Sequence, residues 1–344
     1  MYLITSERDG KWMYDPGTSM ALQEYVKDYL HLDDDVLFAY MMHPAVQIGK
    51  FQNAYEEVNQ PYMDEHDIKI IRRETGGGAI YLDDQNMSFC FLLDGSSDIY
   101  GNYRQLYEPA IQALKKLGVT DLEQKGRNDL LLDGKKISGA AMTLQKGRLY
   151  AGYSLLLDPN YEAIVSVLNP NQKKIKSHGI QSIRSRVGSI RPYLAPAYRD
   201  MTVWEFTDYM ICQLLEIEDI SEAKRYELTP EDWTEVDKIA AEKYNNWDWT
   251  YGHFKQFEYR ITERFPIGTI HIGLSIEHAK ISDIQITGDF FGTKDIHDVE
   301  AALIGMRLRK DDLLKTLESI DLTSYFGDLT KESLVASILS IPEE

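Results

Sequence analysis

Asp133-Gly134, which lies between two short apolar stretches, is the feature that most constrains how this chain folds. An Asp-Gly pair between strand-forming residues is a strong signal for a two-residue hairpin, because such turns need positive φ at both central positions. We therefore predict that Asp129–Leu132 and Lys136–Ala141 form antiparallel strands. The chain continues with a further apolar strand at Leu149–Leu157.

Hydrophobic periodicity predicts elements along the whole chain. A helix beginning after Thr229 is marked by a capping threonine, Pro230 at its first position and two acids in its first turn. We place a domain junction in the aromatic, turn-rich segment Tyr244–Gly252. The other predicted helices are Thr18–Leu30, Tyr107–Leu117, Thr202–Ile217 and one from Lys331; the other predicted strands are Leu37–Met42, Ala45–Ile48, Lys69–Arg72, Ala79–Leu82, Met87–Leu93, Thr269–Ile276 and Ile281–Ile286.

The charge is acidic overall but unevenly distributed. A net charge of −18 over 344 residues argues against a general nucleic-acid binder and against binding to anionic lipid. Residues 201–344 carry 14 basic and 29 acidic side chains, whereas 171–199 carry seven basic side chains and no acid. That basic stretch is either a solvated face or a docking surface for an anion or an acidic protein.

The sequence predicts a cytoplasmic protein. No stretch reaches the ~20 apolar residues that cross a bilayer, and the N-terminus has no basic and apolar signal pattern. Cys90 and Cys212 are the only cysteines, too few for a cysteine-based zinc site or a disulfide framework. Each lies in an apolar context, which favours a small core residue over a nucleophile.

The first candidate site is the glycine-rich stretch Thr75-Gly76-Gly77-Gly78, which follows Arg72 and Arg73. Glycines in a turn between strands let the backbone approach a ligand, and consecutive N–H groups there can bind an anion. Neighbouring arginines add bidentate geometry for phosphate or carboxylate. The alternative is a flexible hairpin tip. The stretch is neither a P-loop nor a dinucleotide-binding fingerprint, since it lacks GxxxxGK[ST] and precedes a strand.

The second candidate site combines Asn128-Asp129 with Lys136 and Ser138-Gly139. Asn and Asp supply oxygen ligands suited to a hydrated magnesium ion that also binds nucleotide phosphates. A lysine beside the hairpin turn can hold a carboxylate and a phosphate together. The alternative is an exposed edge-strand lysine, although Ser-Gly after it suggests a close backbone approach.

Together these blocks resemble a known family. The stretches RRETGGGAIYLDDQN and GRNDLLLDGKKISGAAM are similar to signature blocks of lipoate–protein ligases, and SHGIQSIRSRV at 177–187 resembles a further block. WDWTYG and ITGDFFG resemble the C-terminal accessory domain. The resemblance implies an α+β fold: a catalytic core like that of biotin/lipoate–protein ligases at 1–246, with mixed and antiparallel sheets and flanking helices, and a small α+β domain at 247–344.

The resemblance also implies an activity. Members of the family use ATP and magnesium to convert lipoate to lipoyl-adenylate, then transfer the lipoyl group to a lysine of a lipoyl domain. The implied partners are acyltransferase subunits of 2-oxoacid dehydrogenase complexes and the glycine cleavage H protein. By motif position, Lys136 is the implied catalytic residue and Asp129 a magnesium ligand. The implied ATP- and lipoate-binding residues are Arg73, Thr75, Gly76, Gly77, Gly78, Ala79, Ile80, Tyr81, Asn86, Asn128, Lys136, Ser138 and Gly139.

Two alternatives stay open at this point. One is an ATP-independent octanoyl or lipoyl transferase of the same superfamily, which would carry the acyl group on Cys90 or Cys212. The other is a non-catalytic protein that binds lipoyl domains. The chain also departs from the family pattern at Tyr150-Ala151-Gly152-Tyr153, where a stretch with two histidines is common.

Overall fold

The computed structural model describes residues 1–168, 185–252 and 255–341. Its strands are β1 (Tyr2–Thr5), β2 (Glu7–Arg8), β3 (Lys11–Trp12), β4 (Val36–Tyr40), β5 (Ala45–Ile48), β6 (Lys69–Arg72), β7 (Ile80–Leu82), β8 (Met87–Asp94), β9 (Leu122–Lys125), β10 (Asp129–Leu132), β11 (Lys135–Gln145), β12 (Arg148–Leu155), β13 (Tyr259–Phe265), β14 (Gly268–Glu277) and β15 (Lys280–Gly288). Its α-helices are Pro16–Asp28, Ala54–Glu57, Gln60–Glu65, Tyr103–Lys116, Tyr161–Val167, Val203–Leu215, Pro230–Ile239, Trp247–Tyr251, His297–Leu303, Lys310–Leu317, Thr323–Phe326 and Lys331–Leu339.

Contacts divide the chain into two compact units. Unit 1 comprises Met1–Val46, Asn59–Ile71 and Tyr81–Asn246. Unit 2 comprises Gln47–Val58, Arg72–Ile80 and Trp247–Glu344. Two short segments from the first part of the chain therefore group with its C-terminal third, and the division into domains 1–246 and 247–344 stays a prediction.

Unit 1 is built on a seven-stranded sheet in the order β1-β4-β8-β12-β11-β10-β9. Its first pair, β1 with β4, is parallel, and the remaining neighbours are antiparallel. Residues of helix Tyr103–Lys116 spaced three or four apart, such as Tyr107, Ile111 and Leu114, join the same buried cluster as strand residues Phe89 and Ala151. The hydrophobic core thus lies between one face of this sheet and its helices.

Unit 2 contains the antiparallel sheet β13-β14-β15. Alternate residues of β14 are buried, with Ile270, Ile272 and Leu274 pointing to one side, as expected for a strand with one solvated face. Leu303 and Leu334 from two C-terminal helices belong to the same buried cluster. This unit therefore has a hydrophobic core of its own.

Most predicted elements are confirmed with small shifts at their ends. The Pro230–Ile239 helix begins with a capping box from Thr229, and Thr330 caps Lys331–Leu339. The predicted order of strand, glycine turn and strand is present as β6 and β7, whereas the alternative of a hairpin tip is wrong, because β5 lies between β6 and β7. The segment Tyr244–Gly252 is not simply turns, because it contains the helix Trp247–Tyr251.

No helix within 1–168, 185–252 and 255–341 is both long enough and apolar enough to span a bilayer.

Candidate active site

The lysine hairpin, β10 and β11 with their connecting turn, lies in unit 1. Asp133 and Gly134 have φ of 50° and 72°, so both turn residues adopt the left-handed conformation that the sequence predicted. The pairing Leu130↔Ser138 is followed by Leu131↔Lys136, which leaves Ile137 without an opposite residue. This β-bulge interrupts the alternation of side chains, and bulges of this kind redirect a side chain.

Lys136 is held by neighbours on both sides of its strand. Its N–H donates to the Arg186 carbonyl at 2.7 Å, and its carbonyl accepts from the Gly188 N–H at 2.8 Å. Its Nζ lies 2.7 Å from Oδ1 of Asp129, and the two side chains are 38% and 37% exposed. A Cβ at Gly139 would lie 3.2 Å from Cε and Nζ of Lys136. Gly139 therefore leaves the space that the lysine occupies.

Asn128 and Ser138 connect the two strands beside the bulge. The Asn128 side-chain amide donates to the Ala140 carbonyl at 2.6 Å, and the Asn128 carbonyl accepts from the Ala140 N–H at 3.0 Å. The buried Ser138 hydroxyl lies 3.0 Å from the hydroxyl of Tyr107. The structure thus brings Asn128, Asp129, Lys136, Ser138 and Gly139 together, as predicted for the second candidate site.

The glycine loop, residues 73–79, lies in unit 2 and is shaped by Arg73. The Arg73 guanidinium donates to the carbonyls of Gln47, Gly76 and Gly78 at 2.8–3.1 Å and to the Thr75 hydroxyl at 3.1 Å. The side chain predicted to meet a ligand therefore also organises the loop that would bind it.

At two of the three glycine positions, another part of the chain leaves no room for a side chain. A Cβ at Gly76 would lie 2.3 Å from the Phe290 carbonyl oxygen, and one at Gly77 would lie 2.7 Å from the Phe291 ring. The Gly77 N–H also donates to the Phe290 carbonyl at 3.2 Å, whereas a Cβ at Gly78 would meet nothing within 4 Å. Nothing local in the sequence links residues 76 and 290, so this role of residues 289–292 does not show in the sequence.

Arg72 is a second residue whose role the sequence did not reveal. It is 1% exposed, and its guanidinium donates to the five carbonyls of Gly49, Lys50, Gln52, Trp249 and Thr250 at 2.6–3.1 Å. Burial lowers its pKa to about 10, so it stays cationic at neutral pH. Arg72 therefore ties the 49–52 segment to helix Trp247–Tyr251 within unit 2.

The remaining predicted binding residues follow the glycine loop. Ala79 and Ile80 group with unit 2, whereas Tyr81 and Asn86 group with unit 1 and are buried. Asn86 donates to the Asp83 carboxylate, while its own Oδ1 is buried and without a partner in the described part of the chain. Desolvation, with a smaller contribution from the charge of Asp84, raises the pKa of Asp83 to about 6.

Both cysteines are buried free thiols, as the sequence predicted. Burial raises the pKa of the Cys90 thiol to about 12, and the Tyr150 hydroxyl lies 2.9 Å from its sulfur. Desolvation also raises the pKa of Cys212. Neither thiol is set up to ionise near neutral pH, which argues against a cysteine nucleophile.

The donor set near Lys136 fits magnesium only with help from a ligand. No group of three or more His, Cys, Asp or Glu side chains in the described ranges is arranged to hold a metal ion. Asp129 supplies a half-exposed carboxylate, and one oxygen of it pairs with Lys136. Magnesium in nucleotide sites is commonly bound by one or two carboxylates together with phosphates and water, so Asp129 fits that type of site.

Four of the seven basic side chains of the stretch 171–199, and most of the 177–187 block, lie outside the described residues. Of its charged side chains, Arg191 pairs with Asp158 at 3.0 Å and donates to the carbonyls of Arg199 and Met201. Arg191 is thus used within the fold, and docking by the remaining stretch stays a hypothesis.

Comparison with protein families identifies the family of this chain. The model of the lipoyl protein ligase A/B catalytic domain matches residues 15–215, more than half of the chain. The chain belongs to the lipoate–protein ligase family. The model of the bacterial lipoate protein ligase C-terminus also matches, at residues 255–338.

Individual relatives agree with this membership. Lipoate–protein ligase 2 of Staphylococcus aureus is 52% identical over 340 residues, which are 99% of this chain and 100% of the relative. The crystal structure of P. falciparum LipL1 in complex with lipoate superposes with a TM-score of 0.77 at 20% identity, over 98% of this chain and 99% of that one. Lipoate-protein ligase A bound with ATP gives a TM-score of 0.57 at 23% identity, over 73% and 97%. The predicted lipoate ligase fold is confirmed.

Proposed function

We propose that this family member activates lipoate with ATP to form lipoyl-AMP and then transfers the lipoyl group to one lysine of a lipoyl domain. The single observation that carries the residue assignment is the placement of Lys136. Its side chain is 38% exposed, its Nζ lies 2.7 Å from Oδ1 of Asp129, and a Cβ at position 139 would lie 3.2 Å from its Cε and Nζ. An accessible lysine whose amine is held by a carboxylate is placed to contact bound substrates, and its role is not only to stabilise a strand.

In the first half-reaction a carboxylate oxygen of lipoate bonds to the α-phosphorus of ATP. The bond from that phosphorus to the bridging oxygen breaks, and pyrophosphate leaves. Two anionic groups must meet for this to happen, so the barrier falls when fixed positive charge lies between them. We assign this task to Lys136, whose partner Asp129 holds the side chain in position before the substrates bind.

Magnesium would be held by Asp129 together with the phosphates, and when bound it supplies further positive charge to the phosphate oxygens. We assign to the glycine loop, with Arg73 and Thr75, the binding of the nucleotide through backbone N–H groups. Ala79, Ile80, Tyr81 and Asn86 are assigned to the lining of the lipoate site. Asn128, Ser138 and Gly139 are the remaining residues that we assign to ATP and lipoate binding, beside Lys136.

In the second half-reaction the deprotonated amine of the acceptor lysine attacks the carbonyl carbon of lipoyl-AMP. An amide forms, the bond to the phosphate oxygen breaks, and AMP leaves. The mixed anhydride is already activated, so this step needs positioning of the amine and no enzyme nucleophile. The high pKa of the Cys90 thiol agrees with that requirement.

The acceptors we propose are the acyltransferase subunits of 2-oxoacid dehydrogenase complexes and the glycine cleavage H protein. We also propose that the reaction takes place in the cytoplasm, and the free thiols of Cys90 and Cys212 agree with a reducing compartment.

The test measures lipoate-dependent pyrophosphate release and the intact mass of an apo-lipoyl domain, each with and without ATP. We expect the wild-type protein to add a lipoyl group only with ATP and magnesium. Lys136→Ala should lose adenylation, while Lys135→Ala, the adjacent lysine on the same strand, should keep it. Equal adenylation by both variants contradicts the assignment of Lys136.

The same assay separates the two alternatives. Transfer from a pre-acylated donor without ATP would indicate the acyltransferase. Binding of the acceptor with neither transfer nor pyrophosphate release would indicate the non-catalytic binding protein.

A further inference from the structure

Tyr107 places a hydroxyl group inside the lysine hairpin. Its side chain is fully buried on helix Tyr103–Lys116, and its hydroxyl donates to the Asn128 carbonyl at 3.0 Å. The Ser138 hydroxyl lies 3.0 Å from the same oxygen. Because a phenol has one proton and the Asn128 carbonyl takes it, Ser138 must be the donor of the second bond. The Tyr107 oxygen therefore links Ser138 of β11 to Asn128, the residue directly before β10.

This link lies beside the bulge. Leu130 pairs with Ser138, and the next pair, Leu131 with Lys136, skips Ile137. A bulge locally disrupts the ladder and bends the strand that carries it, so the direction of nearby side chains depends on other contacts. Tyr107 supplies such contacts to Ser138 of β11, one pair before the register changes, and to Asn128, the residue directly before β10.

The Lys136 amine lies close to Asp129 and Gly139 of the hairpin. Its Nζ lies 2.7 Å from Asp129, and its Cε and Nζ lie 3.2 Å from where a Cβ at Gly139 would stand. Asp129 and Gly139 face each other across the ladder, next to the residues that Tyr107 bonds. A shift of one strand relative to the other would therefore move the lysine amine away from its partner.

We propose that Tyr107 is a positioning residue, which fixes the register of β10 and β11 beside the bulge and so sets the place of the Lys136 amine. The inference rests on the proposed function, in which that amine lies between the reacting carboxylate and phosphate. Tyr107 does not touch the reacting atoms, and its effect passes through Asn128 and Ser138.

The hydroxyl of Tyr107 remains a donor throughout the useful pH range. Desolvation raises its pKa well above the ordinary value of a tyrosine. The phenol is therefore neutral, and its proton stays available for the Asn128 carbonyl.

The core contains a matched control. The Tyr153 ring lies 5.3 Å from the Tyr107 ring, and Tyr153 is 3% exposed. Its hydroxyl is buried and has no hydrogen-bond partner in the described part of the chain. Tyr107→Phe and Tyr153→Phe thus remove the same atom from the same core, and only the first change removes the link.

The experiment compares these two variants with the wild-type protein, and measures kcat and KM for lipoyl-AMP formation from ATP and lipoate. In Tyr107→Phe we expect kcat to fall about tenfold with little change in either KM, since small misplacements of a catalytic group are costly. Tyr153→Phe should keep the wild-type kcat. The assays are run at a temperature at which circular dichroism shows both variants folded.

A second readout does not depend on activity. The full-length proteins are labelled with a trace of acetic anhydride, and the ratio of acetylation at Lys136 to that at Lys135 is measured by peptide mass spectrometry. A register shift loosens the pair between Lys136 and Asp129, so Tyr107→Phe should change this ratio by about twofold or more. A variant that is merely less stable but natively folded leaves the ratio unchanged.

The proposal requires both a fall in kcat and a change in the labelling ratio for Tyr107→Phe. A kcat close to that of the wild type, or a fall in kcat with an unchanged labelling ratio, overturns the role of Tyr107. Failure of the proposed function is distinct from this, because then the wild-type protein itself forms no lipoyl-AMP while the labelling ratio still reports on the link.

Discussion

Replacement of Arg72 by methionine should destabilise the protein by about 4 kcal/mol. Two of the five carbonyls that its guanidinium binds belong to the buried residues Gln52 and Thr250, whereas the buried Gly49 carbonyl also accepts from the Gln52 N–H at 3.2 Å and so keeps a donor. A buried acceptor that loses its donor costs about 1–3 kcal/mol, which gives about 2–6 kcal/mol for the two. Methionine replaces the apolar stem but supplies no donor.

Urea titration followed by tryptophan fluorescence measures this loss, since the Trp249 indole N–H donates to the Arg72 carbonyl and reports on the same region. Arg260→Met is the matched control. Arg260 is half-exposed and pairs with Glu56 at 2.8 Å, so its loss should cost about 0.5 kcal/mol. A cost for Arg72→Met below about 1 kcal/mol contradicts this prediction, because it would mean that the freed carbonyls find other donors without strain.

Three further predictions concern pH, the lysine and the thiols. Desolvation, with a smaller contribution from the charge of Asp289, raises the pKa of Glu57 to about 7, so the folded state favours its protonated form. The stability that this proton confers is lost as pH rises through 7, and in urea titrations Glu57→Gln should stabilise the protein by about 2 kcal/mol more at about pH 8 than at about pH 5. Gly139→Ala should lower kcat for lipoyl-AMP formation about tenfold with an unchanged unfolding midpoint, because its Cβ presses on Lys136; a kcat equal to that of the wild type argues against this crowding. The double variant Cys90→Ala and Cys212→Ala should keep ATP-dependent transfer, measured by the mass of the acceptor, and loss of transfer in that folded variant would favour the thioester alternative.

Sequence reasoning succeeded where structure is decided locally. Asp133-Gly134 adopts the turn that its two positions favour, and Thr229 and Thr330 cap the helices that follow them. These features depend on contacts within about four residues, so the order of residues is sufficient to predict them. The grouping of Asn128, Asp129 and Lys136 follows from the same hairpin.

Features that depend on distant partners were not predictable in this way. The bulge at Ile137 depends on how β10 and β11 align, and no residue type marks it. Arg72 was expected to serve a ligand, since a charged side chain is rarely buried, yet it binds carbonyls more than 170 residues away. Strand β13 was missed because its residues are mostly exposed and Ile261 alone is fully buried.

Gly76 and Gly77 pack against Phe290 and Phe291, so the glycine loop and the C-terminal third of the chain are not independent modules. A chain cut after residue 246 would keep the glycine loop but lose the backbone against which two of its glycines are fitted. It would also lose the Trp249 and Thr250 carbonyls that Arg72 binds. A chimaera between two relatives should therefore exchange residues 47–58 and 72–80 together with the C-terminal third, as one inherited set.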